Sequence, residues 1–141
     1  MKTHSRLGRD AIEQAERDAE KPVEFLRIAK DIAHYHHEKW DGSGYPEKLA
    51  GDAIPVPARL MALADVFDAL IARRVYKAPI SFERAVGIIR EGRASHFDPD
   101  IVDAFLDCLD EFETIAARYA DCEADILAKL ERLSSAPGAD A

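Results

Sequence analysis

Residues 57–74 read PARLMALADVFDALIARR. Apolar residues fall on most sides of this run, so a helix carrying them must be buried on most faces, and no strand-like alternation fits it. Pro55 and Pro57 stand just where such a helix would open. The first turn leaves its N–H groups unpaired and tolerates a residue that lacks one. The run predicts a central, largely buried helix over 56–72. Alternating patterns are nearly absent from the rest of the chain, so the class is all-α.

Outward from that helix the periodicity stays helical. Leu7, Ala11, Ile12, Ala15 and Ala19 lie among charges and predict an amphipathic helix over 7–20. Pro22 suits the first turn of a second helix, which carries Val23, Leu26, Ile28, Ala29, Ile32, Ala33 and Tyr35 and runs to about Glu38. Residues 39–54 form a long loop punctuated by Gly42, Gly44, Pro46 and Gly51. Ser81 predicts an N-cap for a helix over 82–91 that closes near Gly92. Asp98 then caps, and Pro99 opens, a helix running to about Leu133; SSAPGADA at 134–141 is a flexible tail.

Composition narrows the function classes. With 141 residues and 48% apolar content the chain suits one domain able to bury a core. A net charge of -8 argues against a broad basic face for a nucleic-acid polymer, yet allows a small anion in a locally basic pocket. Cys108 and Cys122 are neither a disulfide framework nor a zinc-finger pattern. They fit a reduced, cytoplasmic setting. The start, MKTHSRLGRD, has no apolar signal region, and no apolar run approaches the length of a membrane span.

Residues 36–46, HHEKWDGSGYP, carry the first candidate chemistry. His36 and His37, about 100° apart on a helix, point into neighbouring sectors and can reach two ions or two sides of one cleft. A bland alternative is a solvated helix end. Imidazole suits Zn, Fe, Mn or Ni, so histidine alone does not fix the metal. His34 reads as structural. Asp65 sits among Leu63, Ala64, Val66 and Phe67, which implies burial, and a buried aspartate needs a metal or a partner such as Arg59 or Arg73. Arg73, Arg74 and Lys77 follow in an acidic chain and suit phosphate. Alone, they equally suit the negative end of a helix dipole.

Taken in order, HHE-x-WDGSGYP, IP-x-x-AR-x-x-A-x-ADVFDAL, R-x-Y-K and HFDP resemble the HD-GYP branch of the HD-domain metal-dependent phosphohydrolases over roughly residues 1–115. The resemblance implies an all-helical HD-domain bundle that hydrolyses cyclic di-GMP at a centre of two or three divalent metals, Fe, Mn or similar. It makes His4, His36, His37 and Asp65 metal ligands. Tyr45 of the GYP loop approaches substrate, and Arg74 and Lys77 hold its phosphate or guanine. His96 of HFDP is structural, with Asp98 as helix cap.

One part of the pattern is missing. The His-Asp pair, expected upstream of His4 in an HD-x-GK stretch, is absent, and no HD dipeptide occurs anywhere in the chain. No catalytic residue is therefore assigned. The helical bundle is N-terminally truncated relative to the family, so the face of helix 56–72 is expected to be partly uncovered. Either the chain is a fragment of a longer enzyme, or it is a degenerate standalone unit. Two functions follow. One is part of a cyclic di-GMP phosphodiesterase, incomplete or inactive as this chain alone. The other is a non-catalytic module whose GYP loop binds cyclic di-GMP or a cyclic di-GMP synthase-type domain.

The expected organisation is a partial HD-GYP domain over 1–115, a helical extension over 116–133 and the tail. Phe105, Leu109, Phe112, Ala116, Tyr119, Glu123, Ile126, Leu130 and Leu133 alternate spacings of four and three. That is a coiled-coil seam with one charged interruption, which suits a homodimer through 105–133 or local docking of the helix.

Overall fold

The computed structural model describes residues 3–19, 23–72, 78 and 80–134. Pro22, Arg73, Arg74, Lys77 and the tail residues 135–141 lie outside them. The described residues contain helices α1 (His4–Asp18), α2 (Glu24–Tyr35), α3 (Val56–Ile71), α4 (Phe82–Glu91), α5 (Pro99–Asp107) and α6 (Leu109–Ser134), a short 3-10 turn at Gly51–Ala53, and no strand. The all-α expectation holds. The described residues up to Asp107 form one compact unit and those from Cys108 on a second.

Within the first unit α1 packs on α2, α2 on α3, and α3 on both α4 and α5. The core gathers on one side of α3, where Ala58, Ala62, Leu63 and Phe67 meet Ala85, Val86 and Ile89 of α4 and Val102 and Phe105 of α5. Phe67 lies edge-on to Phe105 at 5.6 Å and to Phe82 at 6.0 Å, the favoured aromatic geometry. Val56 and Leu60, on the other side of α3, are about half exposed. The helix is therefore not largely buried as its apolar pattern predicts: only Ala58, Ala62, Leu63 and Phe67 are buried, and the rest of its apolar surface is partly uncovered.

Side-chain caps open two of the helices. The Ser81 hydroxyl accepts the Arg84 N–H at 3.2 Å and opens α4, and the Asp98 carboxylate accepts the Asp100 N–H at 2.9 Å and opens α5. Four expectations shift. The first helix runs His4–Asp18, not 7–20. The second helix ends at Tyr35, not Glu38. The helix expected from Pro99 to Leu133 is interrupted at Cys108; Asp110 and Glu111 stand in the first turn of α6, where carboxylates favour a fresh helix start. Phe105, expected on the coiled-coil seam, is instead 3% exposed in the core.

Candidate metal centre

His4 is the first residue of α1, while His36 and His37 stand in the turn that follows α2. Packing of α1 on α2 brings all three together, and their ring nitrogens lie within 4.8 Å of one another. His4 and His37 place their Nε2 atoms 2.9 Å apart. Two opposed N–H groups do not fit at that distance, so at least one of the two Nε2 atoms presents a lone pair to the cluster. The expected divergence of His36 and His37 is not observed. Because the helix has already ended, their rings sit 3.9 Å apart between centroids and face one region.

His36 is oriented by its own helix. Its Nδ1 lies 2.8 Å from the Ile32 carbonyl, which can only accept. The proton therefore sits on Nδ1, and Nε2 keeps its lone pair for the cluster. Nothing in the sequence marks this backbone contact.

Asp65 is placed on α3 with its carboxylate Oδ2 3.9 Å from His36 Nε2. It is a neighbour of the cluster, but not a buried one: its side chain is 56% exposed. The apolar residues around it in the chain point to the other faces of α3. A groove of about 410 Å³ between α2 and α3, walled by Ile28, Ile32, Ala33 and Met61, opens beside His36 and Asp65. Arg59 serves a different carboxylate. Its guanidinium donates to Asp98 at 2.9 Å and to the Ile54 carbonyl at 2.6 Å, and lies over the Trp40 ring at 5.6 Å.

The loop after the histidines is built around two backbone approaches. Gly44 lies so close to the chain at 37–39 that a Cβ there would stand 2.5 Å from the His37 carbonyl oxygen and 2.6 Å from the Glu38 Cα. This contact lets the Tyr45 N–H donate to the His37 carbonyl at 3.2 Å and stacks the Tyr45 ring on His37 at 4.9 Å. Further along, the loop is fixed to the turn before α5, where Trp40 N–H donates to the His96 carbonyl and Asp41 N–H to the Ser95 carbonyl.

Glu38 is the residue that sequence reasoning passed over. It is 2% exposed, and its carboxylate accepts the N–H of Glu47 at 2.6 Å and of Leu49 at 3.1 Å. The loop amides just past Pro46 need an acceptor, and a carboxylate directly before the loop was the available signal. His34, read as structural, is buried and pairs with Glu47 at 3.1 Å. We expect Glu38→Gln to lower unfolding free energy by about 1.5 kcal/mol, because an amide replaces a charged double acceptor with one acceptor. Urea unfolding followed by Trp40 fluorescence measures it.

Two histidines titrate below their ordinary range. Burial pushes His37 down, and the neighbouring His36 and His4 push it further, against a small opposing pull from Asp65. Burial also lowers His96, aided by Lys39. Both rings are therefore neutral at pH 7, the form that ligates metal or stacks without a charge. The native state binds these protons less readily than the unfolded chain. Their contribution is complete above the unfolded value of about 6.5 and is lost as pH falls through the depressed native values. The metal-free urea midpoint is expected to fall between pH 7 and pH 5, and His96→Leu to flatten part of that fall.

A family model for the HD domain matches residues 1–101. The chain is 56% identical over 123 residues to a probable cyclic di-GMP phosphodiesterase of Vibrio cholerae, covering 87% of this chain and 28% of that protein. It is 54% identical over 121 residues to a cyclic di-GMP phosphodiesterase of the same organism, covering 86% and 24%. A 3'3'-cGAMP-specific phosphodiesterase 2 of that organism is 41% identical over 121 residues, covering 86% and 22%. The chain thus spans about a quarter of the length of these relatives.

Proposed function

Since the chain belongs to the HD domain family, we propose that it supplies the metal-holding turn and the GYP loop of a metal-dependent cyclic di-GMP phosphodiesterase. The observation that carries this reading is the meeting of His4 with His36 and His37 beside the Tyr45 ring. Three imidazoles from two separate helix ends, one of them held neutral by its surroundings, are a donor set suited to Fe, Mn or a similar divalent ion. His4, His36 and His37, with Asp65 alongside, would hold a divalent cation, which would supply Lewis acidity towards a phosphoryl oxygen and activate a water for attack at phosphorus.

The chain's own residues do the positioning. Ile32 holds the tautomer of His36, Glu38 holds the loop, and Gly44 brings Tyr45 against His37; in this reading Tyr45 is the loop residue that meets substrate. Arg74 and Lys77 complete the reading as phosphate-binding cations. No HD dipeptide lies in the chain, so in this reading the remaining ligands come from outside these residues, and the chain alone does not turn over substrate. The groove beside His36 and Asp65 is open to receive them.

Cyclic di-GMP is the proposed substrate because two of the relatives above are named for it. Partner domains of the cyclic di-GMP synthase type and a cytoplasmic location belong to the same reading; no helix among the described residues is long and apolar enough to cross a membrane. So does a homodimer through the C-terminal seam, counted from Leu109 now that Phe105 lies in the core.

Calorimetry with Mn(II) and Fe(II) under anaerobic conditions tests the centre. We expect binding by the native chain, and at least tenfold weaker binding by His37→Ala, about 1.4 kcal/mol or more. A native chain that binds neither ion overturns the metal reading. Turnover of cyclic di-GMP or 3'3'-cGAMP by the metal-loaded chain overturns its incompleteness, and turnover of 3'3'-cGAMP alone overturns the substrate.

A further inference from the structure

α6 leaves a row of apolar side chains exposed: Tyr119 at 63%, Ile126 at 52% and Leu130 at 56%. They continue the line of Leu109, Phe112 and Ala116, which are half-buried, in alternating steps of three and four, with Glu123 at one position. Ile115 and Leu127 flank the line and are exposed as well. A line with that mean step of 3.5 drifts around a straight helix and is covered along its whole length only by a helix of the same period. A second copy of α6 meets that condition.

The residues on the line also choose the direction. Parallel pairing in register sets every position against itself. The Glu123 positions would then face each other, like charge against like charge within an apolar seam, which is costly. Antiparallel pairing centred on residue 121 sets Leu109 opposite Leu133, Phe112 opposite Leu130, Ala116 opposite Ile126 and Tyr119 opposite Glu123. Every layer then joins two different positions, and the single charged position meets a residue whose hydroxyl donates to carboxylates. The helix ends agree. Asp110 and Glu111 stand in the first turn, and Glu131 and Arg132 in the last, with Glu113 and Lys129 one turn further in. Parallel pairing brings the acidic ends together, whereas antiparallel pairing brings each acidic end to one where Lys129 and Arg132 outnumber Glu131.

We propose that two copies of the chain associate through α6 as an antiparallel coiled coil centred near residue 121. This rests on the homodimer of the reading above and adds its direction. The two cysteines, both exposed, report on it without further engineering. Sedimentation equilibrium of the full chain should give twice the 15.7 kDa monomer mass, and Leu130→Glu should return it to the monomer. Spin labels then read the direction. With Cys108→Ser, a label on Cys122 lies near the centre and gives a short distance between copies. With Cys122→Ser, a label on Cys108 lies near one end, and the copies are separated by roughly 40 Å at a helix rise of about 1.5 Å per residue. Short distances from both labels overturn the antiparallel direction and leave the homodimer standing. A monomer at millimolar concentration overturns both, and a dimer that survives Leu130→Glu overturns the seam.

Discussion

Replacing Gly44 with alanine is expected to cost about 3 kcal/mol of stability and to displace Tyr45 from the centre. The added methyl has no room: it would stand 2.5 Å from the His37 carbonyl oxygen and 2.6 Å from the Glu38 Cα, and both are backbone atoms that no side-chain rotation can clear. The loop must therefore move away from residues 37–39. Moving it strains the Tyr45 N–H bond to His37 and the two amides that Glu38 accepts. A fall of roughly 10 °C in melting temperature is expected, together with weaker Mn(II) binding, because His37 sits on the same segment. Ala substitution at Gly87, where nothing lies within 4 Å of the added methyl, is the control. It sits inside α4, where alanine is the better helix former, and should be neutral or mildly stabilising. A Gly44→Ala chain as stable as the native one would show that the loop is not held as described.

The second large effect is expected at Arg59. Its side chain is 12% exposed and its partner Asp98 5%. Removing one member of a buried pair strands the other charge, so Arg59→Ala should cost about 3–5 kcal/mol. The loss spreads beyond the pair, since the same guanidinium donates to the Ile54 carbonyl and covers the Trp40 ring. Asp98→Asn in the Arg59→Ala background should recover part of the stability, because an amide is cheaper to bury unpaired than a carboxylate and still leaves an oxygen for the Asp100 N–H. Urea unfolding of the two single variants and the double variant measures the coupling. If the two losses simply add, the pair is not the source of the effect.

Much of the candidate site was legible residue by residue. Adjacent histidines before a glycine-rich loop, an aspartate on the central helix and a histidine near the start of the first helix are all in the spacing, and the fold brings His4, His36, His37 and Asp65 to one neighbourhood. The error on Asp65 has a plain cause. Neighbours in a helical sequence lie on different faces, so Leu63 and Phe67 are buried while Asp65 between them is not. Glu38 was passed over for the opposite reason. Its importance lies in which amides lack a partner, and that depends on where the loop returns, nine and eleven residues later.

The sequence alone determined the class and the order of the helices. Periodicity, prolines at helix starts, the Ser81 and Asp98 caps and the glycines of the loop act within one or two turns of chain, so they can be read locally. Tertiary structure alone decided that the two histidines converge, that Asp65 faces solvent, that Phe105 belongs to the core and that Arg59 joins Asp98 instead of Asp65. Each of these depends on which surfaces meet across long stretches of chain, and a local pattern carries no information about the far side of a contact.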